Sequence, residues 1–117
     1  MGQLTTHVLD TSAGLPAAGI RIELHEIATT GTQLLAATAT GHDGRCPAPL
    51  LAGAAFRTGR YALTFHVAEY FLARGVTLPA PPFLDDIVVR IGIAHPAEHY
   101  HVPLLISPWS YAVYRGG

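Results

Sequence analysis

An all-β sandwich in one domain is the fold class this sequence predicts, and three observations predict it. Short segments of alternating apolar and polar residues recur along the chain, Gly, Pro, Asp and Ser punctuate them, and only one stretch carries a helical signal. A chain of 117 residues makes a single compact domain with a sizeable core. Many short strands at this spacing bury their apolar sides by stacking two sheets face to face.

The first strand is expected at residues 6–9, inside the β-branched run Thr5-Thr6-His7-Val8-Leu9-Asp10-Thr11. In Ile20-Arg21-Ile22-Glu23-Leu24-His25-Glu26 the apolar side chains fall on every second residue, so Ile20, Ile22 and Leu24 share one face of a half-buried strand. Further strands are expected at 33–40, 60–67, 86–93, 99–106 and 110–115. The helical candidate is 68–74, stopped by Gly75 as a C-terminal cap would stop it. Residues 78–83 hold three prolines, which cannot donate ladder hydrogen bonds, so this stretch is read as a connecting loop. His95-Pro96-Ala97-Glu98 reads as a hairpin connection. The chain shows neither an internal repeat nor a low-complexity segment.

Half the residues are hydrophobic and 13% are charged, more apolar surface than a monomer of this size hides, so an oligomer is expected. A net charge of −1 without a basic cluster offers no electrostatic footprint for nucleic acid or an anionic membrane. Cys46 is the single cysteine and cannot close an intrachain disulfide, which points to a reducing, cytoplasmic setting. No basic segment precedes an apolar run at the N-terminus, and no membrane-spanning apolar stretch follows. The expectation is a soluble, unprocessed chain. Seven histidines direct attention to imidazole chemistry near neutral pH.

Near the C-terminus, His99-Tyr100-His101 on a strand would project both imidazoles from one face and the tyrosine from the other. Two imidazoles are a partial metal set. Without a third His or a carboxylate at metal spacing, the reading that one of them is solvent-exposed decoration outweighs a metal site. His7 taken alone reads as a satisfied, partly buried histidine, and Arg45, after the turn Gly41-His42-Asp43-Gly44, as a solvated charge. Cys46 beside Arg45 suggests a thiol of lowered pKa. Adjacent residues of an extended strand face opposite sides, however, so Cys46 is read as a small buried hydrophobe outside any Arg45 pocket. Asp85-Asp86 at a loop-to-strand boundary is read as a backbone-satisfying pair, not as an acid/base dyad.

Several motifs taken together carry more. His7-Val8-Leu9-Asp10-Thr11, Gly14-Leu15-Pro16-Ala17, Asp43-Gly44-Arg45, Pro82-Phe83-Leu84-Asp85-Asp86-Ile87 and His99-Tyr100-His101-Val102-Pro103-Leu104-Leu105-Ile106-Ser107-Pro108 stand in order, ending in Ser110-Tyr111 and Tyr114-Arg115-Gly116. In these the chain resembles the 5-hydroxyisourate hydrolases of the transthyretin-like family across nearly its whole length. The resemblance implies a transthyretin-like (prealbumin-like) sandwich of two four-stranded sheets with one short helix, residues 1–117 forming a single domain. It implies a homotetramer with active sites where two dimers meet, and an activity that uses no cofactor and no metal. That activity is hydrolysis of 5-hydroxyisourate to 2-oxo-4-hydroxy-4-carboxy-5-ureidoimidazoline in urate degradation.

By motif position the resemblance places catalytic roles on His7, Arg45 and His101. It places substrate contacts on His7, Arg45, Tyr114, Arg115, Gly116 and Gly117. Two departures stand out. The family tail resembles Tyr-Arg-Gly-Ser where this chain has Tyr114-Arg115-Gly116-Gly117, and Trp109 occupies a position where the family more often shows Tyr.

Opening a cyclic amide requires water activation, oxyanion stabilisation and protonation of the departing nitrogen. His7 and His101 would bracket the water, with either able to serve as base. Arg45 would hold carbonyl groups and offset developing charge. The alternative is a transthyretin-like carrier that binds a small molecule without catalysis, since the fold alone does not fix function. A metal protein using His99, His101 and another of the seven histidines, and a scaffold with no small-molecule role, are the remaining readings.

Overall fold

In the computed structural model, which describes residues 2–116, two sheets pack face to face. Strand β1 (Gln3–Asp10) alternates half-buried and buried residues along its whole length. It starts earlier than residue 6 because Leu4 also enters the core. Strands β3 (Arg21–Ala28), β4 (Gly31–Ala39), β6 (Gly59–Phe65), β7 (Ile87–Ile93), β8 (Tyr100–Ile106) and β9 (Tyr111–Val113) match the other expected segments, with the last trimmed at both ends. Two short strands, β2 (Leu15–Pro16) and β5 (Leu51–Ala52), had no alternating pattern to mark them.

One sheet runs β4-β3-β6-β7 and is antiparallel throughout. The other runs β2-β1-β8-β9, with β5 also pairing with β1, so it has five strands where four were expected. Its central pair, β1 and β8, is parallel. Residues 95–98 therefore do not close a hairpin. They carry the chain from β7 in one sheet to β8 in the other, through a turn closed by Glu98 N–H donating to the His95 carbonyl. A four-residue motif with proline signals a turn but does not say which strands it joins.

Between the sheets lie Leu4, Val8, Val102, Leu104 and Ile106 from one side and Ile22, Leu24, Tyr61, Leu63 and Phe65 from the other, all nearly or fully buried. Burying each such side chain contributes about 1.5–3 kcal/mol. Polar groups in this layer are satisfied: the Thr6 hydroxyl donates to the Val102 carbonyl at 2.7 Å, as burial of a hydroxyl demands.

Helix α1 (Val67–Ala73) lies within one residue of the expected span. Gly75, at φ 82°, ends it. Gly75 N–H donates to the Leu72 carbonyl and Val76 N–H to that of Phe71, the paired bonds of a Schellman cap. The helix packs its Tyr70 over β1, where the hydroxyl donates to the buried Asp10 carboxylate at 2.9 Å. Ser12 and Ala13 also donate to Asp10. Burial works against its charge, but these donors outweigh it and hold the carboxyl below the usual range. Burial first, then the hydrogen bond to Asp10 and its charge, push the Tyr70 phenol up to about 12.

Candidate active site

Because inward residues of β1 and β8 fill the core, the intervening ones line the outer face of the sheet. Parallel register sets Thr5 opposite His101 and His7 opposite Pro103, so two histidines far apart in sequence meet on one surface. Arg45 joins them through a backbone bridge to His7. The turn before it is built for this approach. Gly44 sits at φ 78°, a region that disfavours side chains, and its carbonyl accepts the Val8 N–H at 2.9 Å.

Asp43 anchors the turn twice. Its carboxylate accepts the Arg45 backbone N–H at 3.0 Å, the main reason its pKa lies below the ordinary value. Its carbonyl accepts a hydrogen bond from His7 Nε2 at 2.9 Å. A carbonyl only accepts, so Nε2 of His7 carries a proton and Nδ1 is the nitrogen left for other work.

His101 is half-buried. Burial first, then the positive charge of Arg45 and the neighbouring His7 and His99, lower its pKa. This direction favours the uncharged imidazole, the form able to accept a proton. Its Nδ1 lies 2.8 Å from Thr5 Oγ1, and among the described residues no protein group bonds to its Nε2. The His99 ring stacks near that of His101, centroids 6.3 Å apart and planes 14° off parallel, as strand alternation predicted. An open cleft of about 540 Å³ is lined by Thr5, Arg45, Cys46, His99 and His101, among others.

Cys46 corrects an expectation. It lines this cleft together with Arg45, because residues 46–50 bend out of extended conformation after the bridge at Arg45 and strict alternation fails. It also packs against the core. Burial, helped by Asp43, pushes its thiol up, which leaves a poor nucleophile.

The tail is divided. Gly116 returns to β8, its N–H donating to the His101 carbonyl at 2.7 Å, with no room for a side chain against the His101 ring. Tyr114 and Arg115 line a different cavity, of about 320 Å³, beside Tyr100 and Val113. Arg115 stacks 3.9 Å from the centroid of the Tyr100 ring and pairs with Glu98 at 3.0 Å. Gly117 lies outside the described residues. Asp86 accepts from His66 Nδ1 at 3.0 Å, and the carbonyl of Asp85 accepts the Ala68 N–H. Both are structural, although a histidine ring, not a backbone amide, occupies Asp86.

Sequence reasoning passed over Thr5 and Asp43. Thr5 lies two residues before His7 on the same strand face, a signal that was present, but its partner on β8 depends on sheet register.

The fold and this cleft set the terms for comparison with known proteins. A family model described as "HIUase/Transthyretin family" matches residues 4–116. The chain belongs to that family. Within it, a 5-hydroxyisourate hydrolase of Pseudomonas aeruginosa is 56% identical over 116 residues, covering 99% of this chain and 92% of the relative. The structure of Klebsiella pneumoniae 5-hydroxyisourate hydrolase superposes with a TM-score of 0.83 at 31% identity, each chain fully covered. An (S)-allantoin synthase superposes with a TM-score of 0.94 at 46% identity over 99% of this chain, which spans 44% of the length of that protein. Sea bream transthyretin in complex with thyroxine superposes with a TM-score of 0.87 at 27% identity, over 97% of this chain and 94% of its own. The family thus includes proteins named as hydrolases and a protein that binds thyroxine. Among the described residues of this member, no helix is long and apolar enough to cross a membrane.

Proposed function

We propose that this protein is an enzyme that hydrolyses 5-hydroxyisourate, a cyclic-amide hydrolase of urate breakdown. The observation that carries the reading is that His101, with no protein partner on its Nε2 among the described residues, shares one cleft with Arg45. The high identity to relatives named as 5-hydroxyisourate hydrolases supports it.

In this reading Nε2 of His101 takes a proton from water as the water oxygen bonds to the amide carbon. The guanidinium of Arg45, which has no carboxylate partner among the described residues, offsets the negative charge that develops on the carbonyl oxygen. The carbon–nitrogen bond then breaks, and the proton held on His101 passes to the departing nitrogen. His7, its Nε2 committed to Asp43, presents Nδ1 to the water or substrate. Gly116 keeps the tail against His101 without filling the cleft. Tyr114 and Arg115 act less directly, Arg115 clamping the tail to Glu98 and Tyr100. These side chains supply base, acid and charge stabilisation, so the reading requires no cofactor.

The working form in this proposal is a cytoplasmic homotetramer with its clefts at the dimer–dimer contact. Strands β7 and β9 each have a neighbour on one side only among the described residues. Leu15, Phe83, Trp109, Tyr111 and Val113 are exposed apolar side chains, between 39% and 68% accessible, and the cleft is open on one side. Association of copies buries such surface. Light scattering coupled to gel filtration tests the assembly.

The activity is tested by following the ultraviolet absorbance of freshly generated 5-hydroxyisourate with catalytic amounts of protein, against its unaided decay. Acceleration that His101→Ala reduces by roughly 10²–10⁴-fold is the expected result. A folded oligomer that leaves the decay unchanged overturns the reading and favours a carrier.

A further inference from the structure

Thr5 is half-buried on the outer face of β1 with a histidine on either side of its hydroxyl. Oγ1 lies 2.8 Å from His101 Nδ1 and 3.2 Å from His99 Nε2. A hydroxyl has one proton to give and two lone pairs with which to accept, so both contacts are hydrogen bonds when it donates to one ring and accepts from the other, or when it accepts from both. Three arrangements satisfy this. In the first, His101 Nδ1–H donates to Thr5, Thr5 donates to His99 Nε2, and His101 keeps a lone pair on Nε2. In the second every proton is reversed and His101 Nε2 carries a hydrogen. In the third both rings donate to Thr5, and His99 Nε2, already protonated, takes no relayed proton.

We propose that Thr5 is a positioning residue for the hydrolysis, holding His101 with its proton on Nδ1 and wiring it to His99 as a proton relay. The proposal rests on the hydrolase reading, because only a base needs the lone pair on His101 Nε2 and only a base passing its charge outward needs the first arrangement. His99, given no catalytic part above, becomes the outer end of the relay.

The steps balance. When Nε2 of His101 takes the proton of the attacking water, its Nδ1 proton moves to Thr5 Oγ1 as the hydroxyl proton moves to Nε2 of His99. His101 is left neutral with hydrogen on Nε2, and the positive charge rests on His99. As Nε2–H is given to the departing nitrogen, the relay runs backwards and restores the first arrangement. Bonds to hydrogen are the only ones exchanged along it.

The surroundings explain why charge is moved outward. His101 is half-buried, and Arg45, His7 and His99 are the charged or titratable groups that bear on it; a second positive charge there is costly. His99 is exposed to solvent, which accommodates the charge. Fixing a ring's tautomer by a hydrogen bond to its other nitrogen is a general means of tuning histidine.

The test compares Thr5→Val, which keeps the shape and removes the hydroxyl, with Thr5→Ser, which keeps the hydroxyl. Nitrogen-15 NMR of the histidine rings at neutral pH reports the tautomer of His101 independently of any substrate. The unaltered protein should show the Nδ1–H form, Thr5→Val should lose that preference, and Thr5→Ser should retain it. In steady-state assays Thr5→Val should lower kcat roughly 10–100-fold, the usual weight of a supporting hydrogen bond behind a functional histidine, with KM little changed. Thr5→Ser should recover most of it. An Nε2–H tautomer of either His101 or His99 in the unaltered protein, or a Thr5→Val protein with the tautomer and kcat unchanged, overturns the proposal. Should the tautomer respond to Thr5→Val in a protein without hydrolase activity, the hydrolase reading and the relay fail, while the positioning of His101 by Thr5 stands.

Discussion

A single methyl group at Gly44 should disturb both the cleft and the fold. The residue has φ 78°, and the left-handed region costs a non-glycine residue roughly 1–2 kcal/mol. The added carbon would also overlap the Val8 carbonyl oxygen and come within 3.2 Å of both His7 Cδ2 and Pro16 Cβ. That carbonyl is a poor candidate to move, since it accepts the Ala17 N–H at 2.9 Å inside the sheet. The turn must therefore retreat by roughly 1 Å, taking Asp43, which holds His7, and Arg45 with it. A displacement of that size near reacting groups costs on the order of 10²-fold in rate. Gly44→Ala is thus expected to lower stability by about 2–3 kcal/mol and kcat/KM for 5-hydroxyisourate by roughly 10²-fold. Urea unfolding at fixed protein concentration and the absorbance assay measure the two losses. A variant with unchanged midpoint and unchanged kcat/KM would refute the account of the turn as the support of His7 and Arg45.

Gly116→Ala puts a carbon 2.8 Å from His101 Cδ2 and 3.3 Å from Pro103 Cγ; the ring must shift from its place and disturb its contact with Thr5, so kcat should fall while the urea midpoint holds. Because burial and then Arg45 depress the His101 pKa, its neutral form persists to lower pH than an ordinary histidine of pKa about 6.5. The acid limb of kcat/KM should therefore lie below that value, and Arg45→Met, beyond lowering the rate, should move it upward. For stability the sign follows from the same direction: the unfolded chain binds the His101 proton more readily, so this residue's contribution declines as pH falls below about 6.5. Asp10→Asn leaves the Tyr70 hydroxyl and the Ser12 donors without a carboxylate and should cost roughly 1–3 kcal/mol in urea unfolding. In the unaltered protein the Asp10 contribution is present above the ordinary carboxylate pKa and fades as pH falls through its depressed value.

The legible parts of this protein are those decided within a few residues. Alternation in residues 20–26 announces β3, because a strand that buries one face needs an apolar residue at every second position. Gly75 announces the end of α1, because the capping bonds that it and Val76 donate reach only to Leu72 and Phe71. His99 and His101 could be put on one face before the fold was known, for the same reason of local geometry. Family motifs brought His7, Arg45 and His101 into one expectation, but not their arrangement.

Tertiary structure decided the rest. The parallel pairing of β1 with β8 joins Thr5 to a histidine 96 positions away, and nothing in either segment's own pattern specifies that partner. Register of this kind is chosen by how the whole set of apolar faces closes over a common core. Bends after Arg45 turned Cys46 into the cleft, against the alternation an extended strand would impose, and the crossing at 95–98 replaced a hairpin. A sequence records what each residue prefers beside its neighbours. Which distant side chains share a hydrogen bond follows from the one packing that buries all those preferences together.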